Sequence, residues 1–234
     1  MQYHSKKRKI VYFIIGIISF LSSYTFYETL NAYHRIQNKP LTHCGYQLSK
    51  NSVPITLIAG ILAQEDNAFF QHNGVDWRQA WYSLKENFRH WRILSGASTI
   101  DMQVASLCYL EDDTSWRWFK KLRQTLYALI INDYYDKQAI LRTYLTKAPL
   151  IDKNGSIGGF EKAAHYYYQK SLSKLNLNEQ WGLILTLRNR AQLNPHAIKK
   201  AGKIPDNIKE NMKRAKVRQQ RLLKFFKRET HHIL

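Results

Sequence analysis

At 234 residues the chain has room for a membrane segment and one globular domain, and its 44% hydrophobic and 13% aromatic content is enough to build a core. The 36 Lys and Arg against 17 Asp and Glu give a formal charge of +19, which favours anionic partners: nucleic acid, acidic lipid headgroups or a phosphorylated substrate. Neither an internal repeat nor a low-complexity tract runs through the sequence, which sets aside solenoid and linker classes.

Lys6, Lys7, Arg8 and Lys9 form a basic tail (1–9) ahead of an uncharged run from Ile10 to Tyr27, closed by Glu28. The 18 residues of that run would extend roughly 27 Å as a helix, enough to cross the hydrocarbon core of a bilayer. The run is longer than the apolar part of a signal peptide, and Tyr24, Phe26 and Tyr27 stand where a cleavage site needs small residues. We therefore read residues 10–27 as an uncleaved transmembrane helix. The basic tail places its N-terminus inside and everything after Glu28 outside the cytoplasm, which sets nucleic acid aside as a partner.

Residues 28–51 read as a stem without a clear period, interrupted by Pro40 and Gly45. The remainder, 52–234, reads as one mainly α domain. A helix is expected from near Ser52, with Pro54 in its first turn and Ile55, Ile58, Ile61 and Leu62 on one face. Further helical patterns cover roughly 78–92, 98–110, 117–146, 159–170, 177–188 and 206–228, while strand signals are sparse. The stretch Trp77 to Leu94 interleaves aromatics with Arg78, Arg89 and Arg92, a composition that suits either a membrane-interface segment or a buried aromatic core. Between Arg188 and Arg228 there are fourteen Lys or Arg and two acids. Leu222, Leu223, Phe225 and Phe226 give this last helix an apolar side, for packing or for a membrane surface. Cys44 and Cys108 face an oxidising compartment that permits a disulfide, but Cys108, among Val104, Leu107 and Leu110, reads foremost as a core position.

The chemically informative stretch is Glu65-Asp66-Asn67-Ala68-Phe69-Phe70-Gln71-His72-Asn73-Gly74-Val75-Asp76. A carboxylate at the end of an apolar helix, beside aromatic groups, can have its pKa raised toward the range of a general base. The segment resembles the first signature of the family 51 glycosyltransferases, Glu-Asp-x-x-Phe-x-x-His-x-Gly-x-Asp, at every fixed position. Four later segments follow in that family's order. Gly96-Ala97-Ser98-Thr99-Ile100-Asp101-Met102-Gln103 resembles Gly-Gly-Ser-Thr-Ile-Thr-Gln-Gln. Lys120-Lys121-Leu122-Arg123-Gln124 resembles Arg-Lys-x-x-Glu. The stretches from Asp136 to Leu145 and from Gly159 to Lys170 resemble its Ser-Lys-x-x-Ile-Leu-x-x-Tyr-Leu and Gly-Ile-Glu-x-Ala-Ala-x-x-Tyr-Phe-x-Lys packing motifs. The likeness covers roughly 50–221.

This resemblance implies a lysozyme-like fold with a small membrane-proximal lobe, formed by Trp77 to Leu94, behind the anchor. It implies a bacterial inner-membrane protein, extracytoplasmic in its catalytic domain, that polymerises lipid II into glycan strands and releases undecaprenyl pyrophosphate. With the chain ending at Leu234, a monofunctional polymerase is expected. Its partners would be lipid II, the growing glycan, membrane lipids and other cell-wall synthesis proteins. The catalytic base would be Glu65. Asp66, Phe69 and His72, with Asp76, would shape the site. Ser98, Thr99, Gln103, Lys120, Lys121 and Gln124 would bind substrate, through N–H groups and hydroxyls for a phosphate and cations for the leaving pyrophosphate. A divalent metal, Mg or Mn, is also implied. The chain departs from the family where Asp101 replaces Thr, Met102 Gln, Ser106 Lys, Thr146 Asn and Gln124 the second functional Glu. Glutamine is a poor ligand for a hard metal. Those departures frame an alternative, a lipid II-binding or scaffold protein of the same fold with impaired catalysis.

Overall fold

The structure, a computed structural model, describes residues 2–45, 53–90, 96–150 and 158–228, with only the backbone of 2–10. Ten α-helices follow one another: α1 (Gln2–Asn38), α2 (Ile55–Glu65), α3 (Trp77–His90), α4 (Ile100–Tyr109), α5 (Arg117–Tyr134), α6 (Lys137–Lys147), α7 (Phe160–Tyr168), α8 (Leu177–Arg188), α9 (Pro195–Ala201) and α10 (Asp206–Arg228). Among the described residues the only strand-like pairing is one antiparallel bridge between Pro149 and Gly158. The protein is mainly α, as expected.

α1 is long and apolar enough to cross a membrane, and Val11 to Leu21 present their apolar side chains outward. The helix does not stop at the end of the apolar run. The first part of the expected stem continues it to Asn38, because Glu28, Ala32 and Ile36, one turn apart each time, are buried against the domain. Pro40, which has no N–H to extend a helix, precedes a short 3-10 turn at Leu41–Cys44. Cys44 and Cys108 are both buried and are joined by a disulfide, their Cα atoms 5.6 Å apart. The core position read for Cys108 is thus also a bridged one. Residues 46–52, with Ser52, lie outside the described residues.

α2 is the central helix: every residue from Leu57 to Ala63 is buried, as expected of a helix apolar on all sides. Gly60 lets its neighbours close in, since a Cβ there would come within 2.6 Å of Ile184 Cδ1 on α8 and 3.0 Å of Gln219 Nε2 on α10. The apolar side of α10 therefore packs inward. Phe226 is buried and meets the Phe70 ring edge-on at 6.0 Å, leaving the basic face to solvent. α4 packs on α5 and α6.

The single helix expected over 117–146 is two. The chain turns extended at Tyr135, and Asp136 accepts the Ala139 N–H at 2.6 Å to cap α6. α9, capped by Asn194 and opened by Pro195, had no apolar period to announce it. On α3 the aromatics form no core: Trp77, Trp81 and Phe88 are 63%, 69% and 70% exposed, and Ser83 is the buried position. Of the two roles open to that stretch, this excludes a packed core for the described part; residues 91–95, with Trp91 and Arg92, lie outside the description.

Candidate active site

Glu65 ends α2, and Asp66 follows in a non-helical conformation whose N–H still bonds Leu62 O at 2.9 Å. The two adjacent carboxylates consequently point to different surroundings. Asp66 turns inward. Its carboxylate accepts the His72 ring Nε2 at 3.1 Å and the Ile100 backbone N–H at 2.9 Å, at the first residue of α4, where the helix dipole favours negative charge. Glu65 keeps partial access to solvent, and Gln103 Nε2 donates to its Oε2 at 3.1 Å. Tyr144, wholly buried, donates to Gln103 Oε1 at 3.2 Å and so fixes the amide. Burial raises the Glu65 pKa above the ordinary glutamate value, while the Gln103 hydrogen bond and the Arg188 guanidinium work in the opposite direction.

The first two signatures interlock. Gly74 has φ of 86°, and a Cβ there would lie 2.5 Å from Ala128 O, so only glycine fits. Its carbonyl accepts the Thr99 hydroxyl at 2.6 Å, and the same hydroxyl accepts Met102 N–H at 3.2 Å as the cap of α4. The Thr99 hydroxyl and the N–H groups of Ile100 and Met102 are therefore taken up within the protein. Of the phosphate-facing groups expected here, the Ser98 hydroxyl remains, accepting the Lys121 ammonium at 2.7 Å. Burial lowers the Lys121 pKa. Lys120 does not join it: its ammonium bonds Asp113 O at 3.0 Å. One turn along α5, Gln124 Nε2 donates to Ser106 Oγ at 2.6 Å. Two of the departures from the family pattern thus touch one another.

Asp101 is a third. It is wholly buried, accepts Asn132 Nδ2 at 2.7 Å, and lies 3.0 and 3.1 Å from the Lys137 ammonium. That ammonium also sits 4.5 Å from the centre of the buried Phe69 ring. Asp66, His72 and Asp101 bring potential ligand atoms within 4.8 Å of one another. Lys137 already supplies the cation on the Asp101 side, and His72 and Ile100 hold Asp66, so the trio suits a lysine better than a metal ion.

The gathered groups share one support. The partly exposed side of α4 carries Gln103 and Ser106 one turn apart, with Ser98 just ahead of the helix. Glu65, at the end of α2, accepts from Gln103 of this strip, while on α5 Lys121 donates to Ser98 and Gln124 to Ser106. Of the residues expected from the sequence, Glu65 meets Gln103, Asp66 meets His72 and the first turn of α4, Thr99 meets Gly74, Lys121 meets Ser98 and Gln124 meets Ser106, whereas Lys120 turns to Asp113 O. Arg188, Tyr144, Asn132 and Lys137 join them without having stood out in the sequence. Lys137 and Tyr144 stood in a segment read as packing, and their polar ends were the available signal.

A family model described as transglycosylase matches residues 36–224. A biosynthetic peptidoglycan transglycosylase of Aromatoleum aromaticum is 31% identical over 137 residues, 58% of this chain and 57% of that protein. One from Nitrosomonas eutropha is 34% identical over 116 residues, 49% of this chain and 45% of that protein. Penicillin-binding protein 1B of Vibrio cholerae serotype O1 is 31% identical over 150 residues, 63% of this chain and 19% of that protein. The chain thus spans less than two thirds of the length of each of these relatives. With its five ordered motifs, mainly helical architecture and a family match over most of its length, this chain belongs to the transglycosylase family.

Proposed function

We propose that the protein is a peptidoglycan glycosyltransferase of the inner membrane, with α1 crossing the bilayer and its N-terminus in the cytoplasm. Lipid II and the growing glycan are its substrates, and other cell-wall synthesis proteins are the partners this reading implies. The observation that carries it is that one strip, the start of α4, holds both Glu65, a carboxylate with a raised pKa bonded to Gln103, and the Lys121 ammonium, bonded to Ser98. Glu65 takes the proton of the sugar 4-hydroxyl as its oxygen bonds the anomeric carbon of the growing chain. The bond from that carbon to undecaprenyl pyrophosphate breaks, and Lys121 offsets the charge that the leaving group acquires.

Ser98, Ser106, Lys120, Lys121 and Gln124 offer no carboxylate, so this wall does not fit a hard divalent cation. In this reading ammonium and hydroxyl groups meet the pyrophosphate. The test is polymerisation of lipid II by the full chain. Glu65→Gln should lose roughly 10²- to 10⁴-fold in rate with an unchanged circular dichroism spectrum. Equal polymer from that variant would remove Glu65 from its role, and binding without turnover by the wild type would remove the enzyme reading itself.

A further inference from the structure

The beginning of α5 leans on the long N-terminal helix, and the contacts fix its height. The Phe119 ring meets Tyr24 edge-on at 5.0 Å, and Arg123 reaches Glu28 Oε1 at 2.7 Å. Both pairs are separated by four residues on each helix, so α1 and α5 run in the same direction here. Glu28 closes the apolar run, which puts Tyr24 about 6 Å inside it at the helical rise. Residues ahead of Phe119 reach deeper: Trp116 comes roughly 10 Å below the level of Glu28. Trp116 and Trp118 are also 77% and 79% exposed, more than any other large apolar side chain among the described residues. Arg117 stands between them.

We propose that Trp116 to Phe119 is a second membrane contact beside the anchor, dipping from the bilayer interface into the outer acyl layer beneath anionic headgroups. Indole rings favour the boundary between acyl chains and headgroups, where the ring body is apolar and the N–H can reach toward polar groups. Arg117 can extend its guanidinium to the phosphates while its stem stays in the apolar layer. The contact also sets the donor wall: Lys121, two residues before Arg123, lies within about 3 Å of the level of Glu28. A pyrophosphate carried on a membrane lipid arrives at that height. The inference rests on the reading that α1 crosses the bilayer, and it needs no catalytic activity.

The test uses the full chain in vesicles containing phosphatidylglycerol, with and without brominated acyl chains. Emission of the Trp116→Phe/Trp118→Phe variant is subtracted from that of the wild type, which removes the signal shared by the other tryptophans. The difference spectrum should be quenched about twofold or more by the brominated lipid. A difference spectrum at the emission maximum of water-exposed indole, insensitive to bromine, overturns the proposal. So does one that is blue-shifted yet insensitive to bromine, because a second copy or another protein would then cover the patch. An alkaline carbonate wash separates the two readings. Protein stripped from the vesicles refutes the anchor and the contact with it, whereas protein retained without quenching refutes the contact alone.

Discussion

Removing the Lys137 ammonium should unbalance the floor of the site. Asp101 is wholly buried, and Lys137 lies 3.0 Å from one of its oxygens. Burial pushes the Asp101 carboxyl above its ordinary pKa and the Lys137 ammonium below its own, so each depends on the other to remain charged. Lys137→Met keeps the contact with Phe69 but strands the carboxylate, a change that costs about 3–5 kcal/mol. For a chain of this size that lowers the melting temperature by roughly 6–20 °C. Asp101→Asn/Lys137→Met should recover most of the loss, because replacing both partners of a buried pair with neutral groups is near neutral. The sign with pH follows. In the single variant Asp101 titrates higher folded than unfolded, so the penalty is full above the folded pKa and fades as pH falls toward about 4. Thermal melts of the detergent-solubilised full chain, followed by circular dichroism at neutral and mildly acidic pH, read all three. A fall under about 2 °C, or a double variant no more stable than the single, would refute the reasoning.

Three further outcomes are expected. Glu65 must be ionised to act, and burial raises its pKa, so polymerisation should fall with pH through a value above that of free glutamate; Gln103→Leu, which removes a lowering hydrogen bond, should move that acid limb to higher pH. Ser106→Ala and Gln124→Ala should be non-additive in thermal stability by about 0.5–3 kcal/mol, since the two side chains bond at 2.6 Å. Reducing the Cys44–Cys108 bridge, which spans 64 residues of sequence, should remove about 4 kcal/mol, read as a lower melting temperature in dithiothreitol.

The apolar runs and the spaced signature made α2, α4 and Glu65 legible in the sequence. Each rests on a local rule: helical period for α2 and α4, and a carboxylate at a helix end for Glu65. What stayed hidden depended on partners far along the chain. Asp101 counted as a lone departure until Lys137, 36 residues on, was found against it. Ser106 and Gln124, 18 residues apart, likewise showed their relation only once α4 met α5. The break at Tyr135 escaped because apolar residues continue on both sides of it, and the Asp136 cap is a single-residue signal. α1 outran its expected end because helices stop where packing stops, and the burial of Ala32 and Ile36 is a property of the assembled domain.

The disulfide adds a mechanical consequence. Cys44 lies six residues beyond the end of α1, and Cys108 is in the last turn of α4, the strip that carries Gln103 and Ser106. With the sulfurs joined, the stalk above the bilayer cannot serve as a swivel. The bridge adds to the packing of α1 on α5, so the distance from the reacting groups to the membrane surface is held by a covalent bond as well as by contacts. For the function proposed above, with substrates tethered to the same membrane, that rigidity would keep tool and workpiece in register. Cleaving the bridge should therefore loosen the α4 strip relative to the anchor before it disturbs the groups along it.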